Sequence, residues 1–345
     1  MTTRFFASDN SSGIHPAVLQ AVQQANDGHV PAYGDDPHTA AAMAAIRQEL
    51  GDAAGVYFVF GGTGANVLGL RAVTESYHSI ICAASAHIYV DECSAPERHL
   101  GCKLIPIHTA DGKLRPGDVL PHLKGFGVEH HAQPRVISVT QATELGTVYQ
   151  PDELRALADV AHQHQMLLHM DGARISNAAA SLSLGLGDVS GAAGVDVLTF
   201  GGTKSGLMGA EAVVFFNEIG NDRVRFLRKQ GMQLASKMRF LAVQFSALLD
   251  GELWRSNANH ANRLARLLAD AVGEIDGVEI TQPVESNAIF ARIPAAAIKP
   301  LRQRFFFYVW NDATAEVRWM TTWDTTEADV TAFAAAIREE VEKVR

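Results

Sequence analysis

Short runs of apolar residues recur along the first two thirds of the chain, and most are continuous rather than alternating with polar residues. Seven runs predict β-strands: residues 56–60, 79–84, 103–107, 135–140, 166–170, 196–200 and 211–216. Continuous apolar runs are typical of strands that are covered on both faces. Helical patterns lie between several of them, such as residues 151–165, where Asp152 and Glu153 favour the amino end of a helix. This alternation predicts an α/β fold with a mostly parallel seven-stranded sheet.

The pattern changes after residue 220. Helical periodicity extends from about residue 223 to residue 272, and a final segment contains the strand candidates "GVEI", "NAIFARI", "RFFFYVW" and "EVRWMTTW". We therefore predict an amino-terminal arm (1–15), a large domain (16–240) and a smaller carboxyl-terminal α+β domain (241–345).

Composition and charge narrow the class of protein. The 345 residues carry a net charge of −9 with acids and bases interspersed, so we expect no nucleic-acid binding. No segment approaches the ~20 apolar residues of a membrane span. The amino terminus lacks the apolar core and cleavage site of a signal peptide. The three cysteines fit neither a disulfide framework nor a zinc spacing. We expect a cytoplasmic enzyme or binding protein with no metal site and no membrane partner.

The segment "FVFGGTGAN" (58–66) leads from a predicted strand through glycines into a predicted helix. A glycine turn at the amino end of a helix offers free N–H groups and a positive dipole, which together bind anions. A plain strand–helix turn is the alternative. The segment is not a dinucleotide fingerprint, because Val67 stands where the third glycine belongs, and no lysine follows the glycines as in a P-loop.

Two charged residues follow buried strands directly. Asp171 comes after "LLHM", and Lys204 comes after "LTFGGT". A carboxylate at the end of a buried strand loses solvation free energy unless it meets a cation or a strong donor. Pairing of Asp171 with Arg174 is the structural alternative. A lysine in such a place is either a phosphate ligand or an amine that forms a Schiff base.

An anion site, an acid and an amine are the three groups that pyridoxal 5'-phosphate requires. The phosphate of this cofactor needs an anion site, its ring nitrogen an acid and its aldehyde a lysine. We therefore predict pyridoxal phosphate as the cofactor. His87 follows the strand at 79–84 and would stack on the ring, with a local hydrogen bond as the alternative role.

Longer segments carry a family resemblance: "FASDNSSGIHP", "YGDDP", "GGTGAN", "SAHIYVDECSAPE", "TQATELGTVYQPDEL", "HMDGARISNA", "FGGTKSG", "KQGMQLASKMRFL" and "VRWMTTWD". Over nearly its whole length the chain resembles the pyridoxal-phosphate-dependent low-specificity L-threonine aldolases and phenylserine aldolases. The resemblance implies the PLP-dependent transferase fold type I, the fold of aspartate aminotransferase.

The resemblance also implies roles for residues around the cofactor. Lys204 would form the Schiff base, Asp171 would pair with the pyridine nitrogen, and Arg174 would donate to the phenolic oxygen. Gly62 and Thr63 would hold the phosphate. A basic residue of the neighbouring subunit would assist them, and Lys229 is the candidate.

Further roles concern the substrate. Ser8 and Arg318 would bind the α-carboxylate, for which the planar fork of Arg318 is suited. His130 matches a second active-site histidine near the substrate hydroxyl, and Tyr33 and Asp91 would be supporting groups. The acceptor of the hydroxyl proton stays open between His87, His130, a water molecule and the phosphate.

The implied reaction is retro-aldol cleavage of L-threonine, L-allo-threonine and related β-hydroxy-α-amino acids, including phenylserine, to glycine and an aldehyde. One alternative is another fold type I lyase, of the β-eliminating or serine hydroxymethyltransferase type. An alternative from a different class is a nicotinamide-dependent dehydrogenase. The resemblance further implies a homotetramer, a dimer of dimers with shared active sites.

Overall fold

A computed structural model describes residues 4–51 and 53–345, so the first three residues of the predicted arm lie outside the described residues. Within these ranges, seven strands form the large sheet: β1 (Gly55–Val59), β2 (His78–Ala83), β3 (Lys103–Ile107), β4 (Gln133–Thr140), β5 (Leu167–Gly172), β6 (Val197–Gly201) and β7 (Glu211–Phe215). Each apolar run of the sequence forms one of these strands, and their ends differ from the predicted ones by at most two residues.

The strand order explains why the sheet positions a site. The order is β1-β7-β6-β5-β4-β2-β3, with β7 antiparallel to both neighbours and the remaining pairs parallel. Strands β5, β6 and β7 are buried along their whole length, as continuous apolar runs predict. Because β4, β5 and β6 are parallel neighbours, their carboxyl ends meet at one edge of the sheet.

Helices cover the sheet and extend into the carboxyl-terminal part. Their bounds are α1 (Pro16–Gln24), α2 (Pro37–Leu50), α3 (Gly62–Val73), α4 (His87–Val90), α5 (Ala95–Leu100), α6 (Pro116–Val119), α7 (Pro151–Gln163), α8 (Ile175–Leu182), α9 (Asn221–Gln230), α10 (Arg239–Leu249), α11 (Leu253–Gly273), α12 (Ala295–Arg304) and α13 (Glu327–Glu342). No helix within the described ranges combines the length and the apolar character needed to cross a membrane.

The carboxyl-terminal segment builds a second, antiparallel sheet, which confirms the predicted α+β part. Its strands are β8 (Glu279–Ile280), β9 (Ala288–Arg292), β10 (Tyr308–Asn311) and β11 (Glu316–Met320), in the order β10-β11-β9-β8. Aromatic side chains fill its core. Phe6, from the predicted arm, stacks on Phe333 with ring centroids 4.1 Å apart, so the arm is anchored in this smaller core.

The predicted helical region at 223–272 is divided into α9, α10 and α11. Phe245 of α10 and Trp254 at the start of α11 pack in the core of the large sheet, whereas Leu264 and Leu268 pack in the core of the small sheet. The boundary after residue 240 stays a prediction, but this packing places the change between the two cores within α11.

Candidate active site

Three cavities meet at Lys204, beside the carboxyl ends of β4, β5 and β6, and we call them together the Lys204 cleft. The largest, of about 1050 Å³, is lined by residues that follow strands of the large sheet, such as Ala84 and His108, and by residues of the small-sheet strands β10 and β11. A second, of about 300 Å³, lies at Gly62 and Thr63. A third, of about 50 Å³, includes Asp171. His87 lines all three cavities, as Lys204 does.

Lys204 follows β6 in a short 3-10 turn, Thr203–Ser205. Burial lowers the pKa of the Lys204 ammonium group, and the positive charge of Arg174 lowers it further. The neutral amine is the form that attacks a carbonyl carbon, so a lowered pKa favours Schiff-base formation. The position of Lys204 therefore suits covalent attachment of an aldehyde cofactor.

Asp171 lies one residue before the end of β5 and is buried. Its Oδ2 atom accepts a hydrogen bond from Asn66 Nδ2 at 2.8 Å, and its Oδ1 atom accepts one from the Ala173 N–H at 3.0 Å. Arg174 pairs with a different acid, so the alternative that Asp171 simply pairs with Arg174 is wrong. The carboxylate faces the cavity that Lys204 also lines, as the ring nitrogen of the cofactor requires.

Arg174 forms a two-pronged ion pair with Asp9 of the arm, with Nε–Oδ2 at 2.8 Å and Nη2–Oδ1 at 2.9 Å. Burial alone raises the pKa of Asp9, but the adjacent guanidinium outweighs burial, and the pKa falls to about 2. Arg174 also lines two cavities of the cleft. Its role toward the phenolic oxygen stays a prediction.

The cavity at Gly62 and Thr63 has the chemistry of a phosphate site. Helix α3 begins at Gly62, and Gly61 before it provides no side-chain cap, so the first N–H groups of the helix are free for an anion. In the same cavity, Thr199 Oγ1 is buried without a hydrogen-bond partner among the described residues. Together with Lys204 and Asp171, these groups fit pyridoxal phosphate.

One buried acid shares the phosphate cavity and was not predicted. Glu211, at the start of β7, accepts a hydrogen bond from the Gly202 N–H at 2.8 Å, and burial raises its pKa to about 7. Among the described residues that line this cavity, Lys204 is the only lysine and there is no arginine. A phosphate dianion in this cavity therefore needs a further positive charge from elsewhere.

His87 is the first residue of α4 and is half-buried. Its Nδ1 atom lies 2.9 Å from Glu92 Oε1, and its backbone N–H donates to Glu144 Oε1 at 2.8 Å. The hydrogen bond with Glu92 is the main cause that raises the pKa of His87, against the opposing effect of burial. The local hydrogen bond at Nδ1 leaves Nε2 available for chemistry in the cleft, so the two predicted roles of His87 are compatible.

Arg318, from β11 of the small sheet, lines the largest cavity together with Ser8 and Asp91. Arg318 Nη2 donates to the Ala7 carbonyl at 3.3 Å, while its Nε is buried without a partner in the described part of the chain. Burial lowers the pKa of Arg318 to about 10. A guanidinium whose buried Nε has no acceptor is suited to bind a carboxylate from a ligand.

The structure does not bring His130 to this site within one chain. His130 is exposed in the turn before β4, whereas the Lys204 cleft lies beyond the other end of that strand. The eight residues of β4 separate the two ends by roughly 25 Å at about 3.3 Å per residue. Because His130 precedes β4 in the chain, it lies at the amino end of that strand, opposite the carboxyl ends at which the cleft forms.

Tyr33 and Lys229 also lie outside the three cavities. Both are exposed, and the Lys229 ammonium nitrogen lies 5.0 Å from the centroid of the Tyr33 ring. Tyr33 has a left-handed backbone with φ of 63°, which is uncommon for a residue other than glycine. The roles of both residues therefore stay predictions.

Several buried groups around the cleft were missed in the sequence. Glu92 and Glu144 lie inside quoted motifs, but nothing local distinguishes a buried acid from a solvated one. Glu144 Oε1 accepts from Thr140 Oγ1 at 2.8 Å, and its Oε2 is buried with no partner among the residues described. Burial raises the pKa of Glu144. Asn66 bridges Glu92 and Asp171, and no feature of the sequence indicated this contact.

Comparison with known proteins gives the family. Residues 6–296 match the family described as beta-eliminating lyase. The low specificity L-threonine aldolase of Pseudomonas aeruginosa is 45% identical over 337 residues, which cover 97% of both chains. A second enzyme of that name, from a Pseudomonas species, is 43% identical over 334 residues and 96% of both chains.

The chain belongs to the low-specificity L-threonine aldolase family.

A solved structure of Leishmania major threonine aldolase has a TM-score of 0.91 and 30% identity, covering 98% of this chain and 99% of that one. This similarity confirms the predicted fold, a mostly parallel large sheet with a smaller carboxyl-terminal α+β part. Membership of the threonine aldolase family decides against the nicotinamide-dependent dehydrogenase that the sequence left open.

Proposed function

We propose that the protein is a pyridoxal-phosphate-dependent aldehyde-lyase. It cleaves L-threonine, L-allo-threonine and related β-hydroxy-α-amino acids, including phenylserine, to glycine and an aldehyde. The observation that carries this proposal is the meeting of Lys204, Asp171 and the uncapped start of α3 at one cleft. The relatives named low specificity L-threonine aldolase support the substrate class.

In this proposal the cofactor is held at three points. Lys204 would hold its aldehyde, Asp171 would pair with the ring nitrogen, and the N–H groups of Gly62 and Thr63 would hold its phosphate. When bound, pyridoxal phosphate supplies an electron sink that stabilises the negative charge left at the substrate α-carbon. His87, which lines all three cavities, would face the cofactor in this arrangement.

Residues of this chain orient the substrate. Arg318 and Ser8 bind the α-carboxylate in the largest cavity and so fix the rotation about the bonds at the α-carbon. That rotation would decide which bond at the α-carbon breaks. His87 Nε2 would take the proton of the β-hydroxyl as the Cα–Cβ bond breaks, the aldehyde would leave with its new C=O bond, and the electron pair left at the α-carbon would take a proton from solvent to complete glycine.

We further propose that the working enzyme is a homotetramer, a dimer of dimers. Among the described residues, Lys204 is the only lysine or arginine that lines the phosphate cavity, and the exposed Lys229 and Tyr33 are the groups that a neighbour would contribute. His130 would reach a site only across such an interface. Free Cys82, Cys93 and Cys102 support a reducing compartment, the cytoplasm.

The test of this function is incubation of the purified protein with L-threonine, L-allo-threonine, D-threonine and L-phenylserine, followed by measurement of aldehyde and glycine. A β-eliminating enzyme would instead release ammonia and 2-oxobutanoate from threonine. Borohydride reduction followed by peptide mass spectrometry should label Lys204. An active enzyme whose Lys204 stays unlabelled would contradict the proposal.

Two matched variants assign the proton acceptor. We expect His87→Phe to lower kcat by at least about 100-fold, since general base catalysis contributes about 10²–10⁴-fold. His130→Phe should retain the rate if His130 stays at the far edge of the sheet. A comparable loss in His130→Phe would place that residue in a neighbouring subunit's site.

A further inference from the structure

A buried chain of hydrogen bonds connects the histidine of the cleft with the acid of the ring nitrogen. Glu92 Oε1 lies 2.9 Å from His87 Nδ1 and accepts a second hydrogen bond from Asn66 Nδ2 at 2.9 Å. The same Asn66 nitrogen donates to Asp171 Oδ2 at 2.8 Å. We call His87, Glu92, Asn66 and Asp171 the Glu92 network.

The local backbone directs Glu92 toward His87. Helix α4 ends at Val90, and Cys93 and Ser94 then have left-handed backbones with φ of 50° and 56°. Two consecutive non-glycine residues in this region cost conformational energy, which the surrounding packing must offset. The resulting turn places a Glu92 side chain with no exposed surface beside a histidine that is 39% exposed.

We propose that Glu92 is the positioning residue for His87, and that Asn66 joins Glu92 to Asp171 so that one buried unit serves both the substrate side and the cofactor side of the reaction. The contribution to catalysis rests on the proposed function, because it requires His87 to act as the proton acceptor. The pairing of Glu92 with His87 can be tested without any catalytic activity.

The carboxylate fixes the tautomer of the imidazole. With Glu92 accepting at Nδ1, the Nδ1 atom carries the hydrogen and Nε2 is left to face the cleft, the arrangement by which carboxylates orient histidines elsewhere. A histidine without this partner would be free to rotate and to change tautomer. Glu92 thus selects the nitrogen that receives the β-hydroxyl proton.

The charges around His87 determine when Nε2 is free to accept that proton. Glu92 and Asp171 favour the imidazolium, and Lys204 disfavours it. Glu144 accepts the backbone N–H of His87, and Arg174 and Asp91 line the same cavity. Because the pKa of His87 is raised, the imidazolium persists to a higher pH than in free histidine. Cleavage should therefore increase as the pH rises through that pKa.

Asn66 affects this balance in the opposite direction. Its amide nitrogen donates to both carboxylates. The hydrogen bond to Glu92 partly satisfies the negative charge of that carboxylate, which weakens its attraction for the His87 imidazolium. Loss of the Asn66 donor should make Glu92 a stronger partner for His87. The two substitutions, at Glu92 and at Asn66, are thus expected to shift the titration of His87 in opposite directions.

The experiment is the pH dependence of His87 modification by diethyl pyrocarbonate in the purified holoenzyme, resolved by peptide mass spectrometry. Glu92→Gln preserves an acceptor at Nδ1 but removes the charge. We expect the midpoint of His87 reactivity to fall by about one pH unit, and the acid limb of kcat/KM for threonine to move with it. In Asn66→Ser the midpoint should rise by a smaller amount.

Glu129→Gln is the matched control, since Glu129 is exposed in the turn before β4. It should leave the His87 midpoint and the acid limb unchanged. A Glu92→Gln enzyme with lower stability but an unchanged His87 midpoint would overturn the proposal, because Glu92 would then be only structural. If Glu92→Gln does not fold, an unchanged midpoint in Asn66→Ser overturns the coupling.

The two proposals fail separately. If the wild type releases no aldehyde but Glu92→Gln still shifts the His87 midpoint, the aldolase function is refuted and the pairing of Glu92 with His87 stands. If the wild type cleaves threonine but the His87 midpoint is the same in all variants, the pairing is refuted and the aldolase function stands.

Discussion

The two ends of the Lys204 cleft are built differently. At the inner end, Asp171 and Asn66 come from the large sheet and the helix on it, and their polar groups are hydrogen-bonded to one another. At the outer end, Arg318 comes from the small sheet, and its Nε is buried without an acceptor among the described residues. Under the proposed function, the acid at the inner end is held ready for a cofactor that stays bound, whereas Arg318 at the outer end would gain its acceptor from a substrate carboxylate that comes and goes.

The largest effect should come from the inner end. We expect Lys204→Ala to lower kcat/KM for threonine by at least about 1000-fold, because the nucleophilic amine is lost. The visible absorption of the bound cofactor should change at the same time. Lys299→Ala, an exposed lysine on α12, is the control and should match the wild type. Near-normal cleavage by Lys204→Ala would show that the inner end of the cleft does not supply the essential amine.

The ion pair between Asp9 and Arg174 connects the arm with the inner end. Asp9→Asn leaves the Arg174 charge buried without its partner, so the unfolding free energy should fall by about 3 kcal/mol at neutral pH. The pKa of Asp9 is depressed from 3.8 to about 2, so its contribution is full above pH 3.8 and is lost as the pH falls toward 2.

Denaturant titrations of wild type and Asp9→Asn at neutral pH and at about pH 3 measure this difference. The gap between the two proteins should be smaller at the lower pH. Asp312→Asn, in an exposed turn, is the control and should show no gap at either pH. A pH-independent gap would mean that packing of the arm, rather than the charge of Asp9, stabilises the fold.

At the outer end, we expect Arg318→Leu to raise KM for threonine by about 100-fold, the equivalent of losing a charge-assisted pair worth roughly 3 kcal/mol. The cofactor absorbance should be retained, because Arg318 does not touch the inner cavities. Arg302→Leu, exposed on α12 of the small domain, is the control. Loss of cofactor in Arg318→Leu would show that the two ends are not independent.

The smallest effect concerns selectivity at the outer end. Trp310 lines the largest cavity and lies 5.1 Å from the Arg318 guanidinium, ring centroid to Cζ. Trp310→Ala should lower kcat/KM for phenylserine relative to threonine by about 10-fold, because an aryl side chain loses an aromatic contact. Tyr77→Ala, an exposed aromatic, should leave the ratio unchanged. Equal losses for both substrates would assign Trp310 to the support of Arg318.

Much of the fold was predictable because its signals are local. A continuous apolar run marks a doubly covered strand wherever it occurs, and all seven runs became strands of one sheet. The polar residue after such a run must lie at a sheet edge, and this placed Asp171 and Lys204 correctly. His130 precedes its strand and therefore lies at the amino end of β4, away from the carboxyl ends that line the cleft, so its role stays a prediction that depends on a second subunit.

The amino-acid sequence by itself determined the order of strands and helices, the family, and the acid and amine of the site. Tertiary structure alone decided which charges pair. Arg174 joins Asp9, 165 positions away, rather than nearby Asp171, and Asn66 links Glu92 to Asp171. The reason is physical: the partner of a buried charge depends on which groups share its poorly solvated volume, and the arm and the strand order create that volume only after folding.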